Sequence, residues 1–374
     1  MRLLLAICIS FCALLGSAQN YYMFVGTYTT GKSKGIYVYK FNSKNGEVSY
    51  VSNTDSCTNP SFLSVSPNGK YLYAVNETGR ELPGHVSAFE FDKTKGKLSF
   101  LSQQLSGGDD PCFVTTDQSG HWVIVGNYSG GSLAAFPVNG DGSLEPYTQL
   151  IQHKGSSTNK QRQEKAHVHA TFFSPDHQYI LAPDLGMDKV MVYQFNAANK
   201  KPLKPAAVPF MASAPGSGPR HIAFHPNKKI AYLVEEMSGT VKTFAYNNGV
   251  LKPLQTIATH PDTFKGQPGS ADIHISPDGK FLYVSNRGDE NNLAIFSIDA
   301  ATGKLTSIGY QSIAGQQPRN FIIDPSGKYL LVANQKTNNI VVFKRDMHTG
   351  LLQTTLQQIE VPNPVCLQML EKEN

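Results

Sequence analysis

Residues 276–287 read SPDGKFLYVSNR, a tight turn followed by a short run rich in aromatic and β-branched residues. Pro277 fixes φ, Asp278 supports the bend and Gly279 tolerates a positive φ, so SPDG is a β-turn that feeds a strand. The pattern returns at Ser66 (SPNGKYLYAVNE), Asp117 (DQSGHWVIVGNY), Ser174 (SPDHQYILAPDL), His225 (HPNKKIAYLVEE) and Asp324 (DPSGKYLLVANQ). Starts at 66, 117, 174, 225, 276 and 324 are separated by 51, 57, 51, 51 and 48 residues. After each copy comes an alternating run, such as VSAFEFD from Val86 or LAIFSID from Leu293, then a Gly-containing turn and a shorter strand.

Each unit therefore predicts four short antiparallel strands, A to D, with A leading into the Pro-Gly turn. Four-stranded units of roughly 50 residues repeated around a ring are propeller blades. Six turns are visible, and the two ends complete a seventh blade. The N-terminal YYMFVGTYTTGKSKGIYVYKFN supplies strands B and C with no strand A before them, and the C-terminal NPVCLQML has the form of a strand A with nothing after it. The fold class is all-β, a seven-bladed propeller of four antiparallel strands per blade, closed by residues 364–370 pairing beside residues 22–27. Closure removes an edge that would otherwise invite aggregation.

The first residues stand apart from the repeat. Arg2 is a positive start, residues 3–15 are apolar, and Gly16-Ser17-Ala18 offers the small residues of a cleavage site. Residues 1–18 thus read as a secretory leader cut after Ala18, and residues 19–374 as one propeller domain, exported to a periplasm or secreted. Cys12 follows Phe11 inside the apolar run, which is wrong for a lipoprotein box. No other run approaches the roughly 18 apolar residues of a membrane span. The net charge of +5 is mild, and basic residues are scattered among acids, which argues against a nucleic-acid partner. Beyond the leader three cysteines remain, Cys57, Cys112 and Cys366, an odd number with no metal-ligand spacing. The sequence carries no signal for oligomeric state.

The ionisable residues of residues 218–237, GPRHIAFHPNKKIAYLVEEM, lie at the open end of their hairpin, away from the Pro226-Asn227 turn. Strand A crosses the ring and strand B returns, so the start of A and the end of B share a face. The third positions of the A-starts are Ser61, Cys112, His169, Arg220, Ala271, Arg319 and Val365. The B-ends add Asn76-Glu77, Asn127-Tyr128, Asp184-Leu185, Glu235-Glu236, Asn286-Arg287 and Asn334-Gln335. Strand A is innermost, so these side chains ring the mouth of the central channel. An Arg220–Glu236 tie within one blade explains less than a shared cleft, because Arg220, Arg287 and Arg319 gather there with His169. Like charges crowded in a cleft are costly unless an anion offsets them. Adjacent strand residues face opposite sides, so only one of the two glutamates looks into the mouth. The register assigns that place to Glu236 and makes Glu235 replaceable.

GPRHIAFHPN, VEEM, ADIHISPDGKFLYVSNR and QPRNFIIDPSGKYLLVANQK together resemble the seven-bladed propeller lactonase family. That family includes the propeller-type 6-phosphogluconolactonases and is related to the carboxy-cis,cis-muconate lactonising enzyme. The resemblance runs over essentially the whole chain after the leader. It implies hydrolysis of a sugar lactone by water, without a cofactor. His169, Arg220, Arg287 and Glu236 correspond to the muconate enzyme's His, two Arg and Glu; Arg319 and Gln335 match positions lining the same cleft. His167 and His221, their neighbours, join the expected substrate-binding set. The leader departs from the family pattern, since a pentose-phosphate enzyme works in the cytoplasm.

Lactone hydrolysis needs a base for water and donors for the oxyanion. Glu236 or His169 can be that base, and Arg220 with Arg287 or Arg319 can hold an oxyanion, carboxylate or phosphate bidentately. His167 and His169 form an H-x-H pair on one strand face, but a catalytic zinc usually takes three protein ligands. His221 and His225 would lie roughly 13 Å apart on a strand and cannot share an ion. The polar stretch from His153 (HKGSSTNKQRQEKAHVHA) accounts for part of the excess of the 57-residue step over 51 and reads as a surface loop, either merely solvated or a lid bringing Lys or Arg to an anion. Two further readings stay open: a non-catalytic exported propeller that binds glycans or proteins, and a cyclase working in the lactonising direction.

Overall fold

The computed structural model describes residues 20–79 and 82–372; the leader expected over residues 1–18 lies outside the described residues. Strand pairing yields seven four-stranded antiparallel sheets. In six of them the strands follow chain order. In the remaining one Pro364–Glu371 joins Asn20–Thr27, Tyr37–Asn42 and Val48–Asn53, with Cys366 opposite Gly26 and Leu370 opposite Tyr22. This is blade 1, and the expected closure is the one observed. Blades 2 to 7 follow with innermost strands Pro60–Val65, Pro111–Thr116, Phe172–Phe173, Pro219–Phe224, Ser270–Ile275 and Pro318–Ile323.

Neighbouring blades are glued by apolar faces and tied by a repeated tyrosine. Tyr232, Val234, Ile273, Leu282 and Phe296 pack as one buried cluster between blades 5 and 6. The hydroxyls of Tyr73, Tyr232 and Tyr283 donate to the carbonyls of Gly142, Gly303 and Gly350 in the next blade, at 3.3, 2.8 and 2.7 Å. Those turns require glycine twice over. At Gly350 φ is 75°, and a Cβ would sit 2.3 Å from the Phe281 ring, so any side chain there must displace the preceding blade.

The start of strand A departs from simple alternation in a way that builds the site. In blade 5 Pro219 pairs with Glu235 and His221 with Val234, leaving Arg220 as an extra residue. The same slip occurs at Ser61, Cys112, Arg319 and Val365, and within Ala271–Asp272. Such β-bulges re-aim side chains, and here Arg220 and His221 both turn into the channel. Blade 4 is the exception. Pro183 has no N–H to give to the ladder, and strand A shrinks to Phe172–Phe173, with an isolated bridge at Val168–Asp184. His167 and His169 are therefore not on one strand face as expected from sequence.

Candidate functional site

A cavity of about 210 Å³ opens at the mouth, lined by Glu77, Cys112, Tyr128, Arg162, His169, Glu236, Arg287 and Arg319. Five blades converge on it, together with the segment that carries Arg162 and His169. Glu236 is its electrostatic centre. Oε2 accepts from Arg220 Nε at 3.0 Å and forms an ion pair with Arg287 Nη2 at 2.9 Å, while Oε1 accepts from Arg162 Nη2 at 2.8 Å. His169 Nε2 lies 3.9 Å from the same Oε2, against the edge of the Tyr128 ring. On the facing wall Tyr28 donates to Glu77 at 2.8 Å, and Arg319 lies 3.9 Å from that carboxylate and over the Tyr28 ring.

The two adjacent glutamates divide along the expected line, with a difference. Glu235 occupies the slot that Asn76, Asn127 and Asn286 fill in other blades, where a buried polar group ties strand B to strand C. Its Oε2 accepts from Thr240 at 2.6 Å, and it is only 2 % exposed. Glu235 thus faces away from the mouth and serves the fold, tying strand B to strand C.

Of the eight residues selected from sequence, Glu236, His169, Arg287 and Arg319 line the cavity, and Arg220 braces it from below. His221 belongs to a lower layer. Its Nδ1 donates to Asp272 at 2.8 Å, its ring lies 3.3 Å from Arg220 Nη1, and it faces a second, larger compartment walled by Phe62, Phe113 and Phe172. His167 stands behind the wall, stacked on Tyr128 at 4.6 Å and donating to the Tyr128 carbonyl at 3.0 Å. Gln335 is half-buried at its strand end and outside the cavity lining. Arg162 lies outside the repeat and was not named by number, although one of the two readings of the polar stretch from His153 was a lid bringing Lys or Arg to an anion; the signal was the long 57-residue step.

Charge decides the protonation states. Burial acts to raise the Glu236 carboxyl, but Arg287, Arg220 and Arg162 override it and hold the group well below the usual carboxylate range. Glu236 is ionised. Burial, then Arg287 and Arg319, lower Arg220 to about 9, which leaves it cationic at neutral pH. His169 is held well below its ordinary value by burial first, then by Arg220, His221 and the other guanidiniums. It is neutral and free to accept a proton. The lining holds three guanidiniums (162, 287, 319) against two carboxylates (77, 236), an excess of one positive charge, 3 − 2, and the Arg220 beneath them has Asp272 as well as Glu236 acting on it. Burial pushes the Cys112 thiol far above its ordinary value, so this wall residue is no thiolate nucleophile. Cys57, Cys112 and Cys366 are all buried free thiols. Among the described residues no three His, Cys, Asp or Glu are grouped as a metal ion would need.

The buried rings make the fold acid-sensitive. Burial, then Arg220, push His221 down to about 4 from 6.5, against the pull of Asp272. A ring with a folded value below its unfolded one takes its proton first in the unfolded chain. Stability is then full above the unfolded value and falls as pH drops towards the folded one. The urea midpoint is expected to hold from pH 8 to 7 and to fall between pH 6.5 and 4, with on the order of 3 kcal/mol lost through His221. An unchanged midpoint at pH 5 would show that the rings are not held neutral.

The fold and this mouth define a class: a β-propeller with a cationic site for a small molecule. The family described as "Lactonase, 7-bladed beta-propeller" matches residues 22–369, and the chain belongs to it. A protein of Formosa agariphila named 6-phosphogluconolactonase is 42 % identical, the match covering 93 % of this chain and 99 % of that one. A Bacillus subtilis protein of the same name is 36 % identical, covering 94 % and 99 %. Among solved structures, a periplasmic gluconolactonase of Pseudomonas aeruginosa superposes with a TM-score of 0.90 at 40 % identity, covering 94 % of this chain and 99 % of that one.

Proposed function

We propose that this protein hydrolyses an anionic sugar lactone in the mouth cavity, by attack of water on the ring ester carbonyl. The observation that carries the reading is an ionised Glu236 beside a neutral His169, inside a guanidinium-lined cavity. Membership of the lactonase family and the names of the relatives support the reaction class. The excess positive charge of the lining supports an anionic substrate.

Water attacks the carbonyl carbon and gives its proton to His169. The imidazolium is stabilised by the Glu236 carboxylate 3.9 Å away. Arg287 or Arg319 takes the tetrahedral oxyanion, a role worth roughly a hundred- to a thousandfold in rate. The ring C–O bond then breaks, and the imidazolium returns its proton to the leaving hydroxyl, giving the hydroxy acid. Arg220 does not touch the substrate in this scheme; it fixes Glu236 and is held by the Ala271 carbonyl at 2.5 Å.

The test is ring opening of glucono-δ-lactone and its 6-phosphate followed by proton release. His169→Ala is expected to lose about a hundred- to a ten-thousandfold in kcat. Because His169 titrates well below its ordinary value, kcat/KM should stay level from pH 8 to 6. Full activity in His169→Ala removes the base from this scheme. No turnover by the native protein sinks the lactonase reading and favours an exported ligand-binding propeller.

The leader over residues 1–18 supports action outside the cytoplasm, as does the periplasmic description of the Pseudomonas relative. A mature protein beginning at Gln19 in an extracytoplasmic fraction is the expected result; a cytoplasmic protein that retains Met1 overturns it.

A further inference from the structure

Arg162 differs from the other guanidiniums of the site. Its side chain is 45 % exposed, against 2, 15 and 17 % for Arg220, Arg287 and Arg319. It also arrives from the long segment after His153 and not from a strand end. That segment is anchored on both sides of it. His153 Nδ1 donates to Asp184 at 2.7 Å, Ser157 N donates to the Gln163 carbonyl at 2.9 Å, and Gln163 Nε2 donates to the Leu185 carbonyl at 2.9 Å. Asn159 Oδ1 caps the turn by accepting from Arg162 N at 3.1 Å. The backbone beneath Arg162 is fixed, and its long side chain is what can turn.

Glu236 does not depend on this third partner. Its Oε2 already takes Arg220 and Arg287, and Arg162 adds a contact to Oε1 at 2.8 Å plus one to Tyr128 Oη at 3.1 Å. A half-exposed ion pair laid over an already compensated carboxylate contributes little as a structural tie. It does place a planar two-pronged donor at the cavity rim, where an entering anion meets it first.

We propose that Arg162 is the specificity-determining residue that reads the anionic group of the substrate, leaving Glu236 to do so, and that its departure uncovers Glu236 beside His169. The inference rests on the lactonase reading and deepens it. While Arg162 covers Oε1, the Glu236 charge is shared among three guanidiniums and does little for an imidazolium at His169. When a phosphate or carboxylate on the substrate takes Arg162 away, that charge is returned to His169, which becomes the stronger base. A neutral lactone leaves Arg162 in place and meets a weak base. Recognition of the anion and readiness of the base are thus coupled through one side chain.

The experiment compares native protein, Arg162→Gln and Arg162→Lys on glucono-δ-lactone and its 6-phosphate, with calorimetric binding of gluconate and 6-phosphogluconate measured in parallel. For Arg162→Gln, KM for the phosphorylated lactone is expected to rise about ten- to a hundredfold. Its kcat/KM on the neutral lactone should rise above native, because Oε1 is permanently uncovered, and Arg162→Lys should recover part of the anion affinity. Equal losses on both lactones, or an unaltered preference between them, overturn the proposal. If the native protein opens neither lactone but 6-phosphogluconate binding weakens in Arg162→Gln, the lactonase reading fails and the anion-reading role stands. Unaltered 6-phosphogluconate binding overturns that role.

Discussion

Glu236→Gln is expected to stay folded and to hydrolyse lactones about a hundred- to a ten-thousandfold more slowly than the native protein. The substitution keeps shape and removes charge. In the native site burial opposes ionisation of Glu236, and Arg287, Arg220 and Arg162 overcome it. With an amide in its place nothing stabilises an imidazolium at His169, and Arg220, only 1 % exposed, loses its anionic partner. A buried charge left without its counter-ion costs about 3–5 kcal/mol. The cost here should sit at or below the lower end, because the amide oxygen still accepts from Arg220 or Arg287 and the Ala271 carbonyl still holds Arg220. Melting temperature and kcat measured on one preparation separate the two effects. Glu235→Gln is the control: its partner is Thr240 in the neighbouring strand, so it should melt earlier yet keep its rate. Undiminished hydrolysis in Glu236→Gln, or equal rate loss in Glu235→Gln, would show the wrong carboxylate has been chosen.

The second large effect concerns the ring itself. Deleting residues 361–374 is expected to abolish the soluble native protein. The strand Pro364–Glu371 runs antiparallel to Asn20–Thr27 along nearly its whole length. It buries Leu367 in one inter-blade cluster and Cys366 in the next, and Leu367 N donates to Asn320 of blade 7 at 2.7 Å. Without it the sequence NYYMFVGT becomes an open apolar edge, a template for pairing with other copies. Gel filtration should show aggregates, and a peptide of residues 361–374 added during refolding should restore the elution volume of the native protein by strand addition. A soluble truncated protein with native circular dichroism would mean that the ring does not depend on this closure.

Most of the fold was legible because the turn motif repeats at near-constant spacing and strands need only local signals. The mouth was legible as far as register carries. Arg220, Glu236, Arg287, Arg319 and His169 meet because the starts of A and the ends of B share a face. What was missed breaks the repeat. Arg162 sits on an insertion, and no register assigns a face to an insertion. Tyr28 follows the N-terminal strand B at the position equivalent to Glu77, but no turn motif precedes that strand, and the other B-ends were counted from such turns. His221 was placed beside Arg220 in sequence, whereas the bulge sends it to the layer below, against Asp272. His167 went astray because it stands before the start of strand A, its carbonyl accepting from Leu185 N at 2.9 Å as that of Gly218 accepts from Glu236 N, and its ring stacks behind Tyr128.

The residue directly after strand B recurs seven times around the mouth: Tyr28, Glu77, Tyr128, Leu185, Glu236, Arg287 and Gln335. Four of them line the cavity. The inter-blade glue lies deeper, in the alternating apolar faces and the tyrosine–glycine ties. This separates what the molecule is from what it does. Chemistry is spelled in a short alphabet, chiefly at this position and at the start of strand A, while folding is written elsewhere, so a letter can change without the ring noticing. Gln335, half-buried and outside the present cavity, is an unused letter: a substitution there adds a functional group at the rim without spending any contact on which the propeller relies.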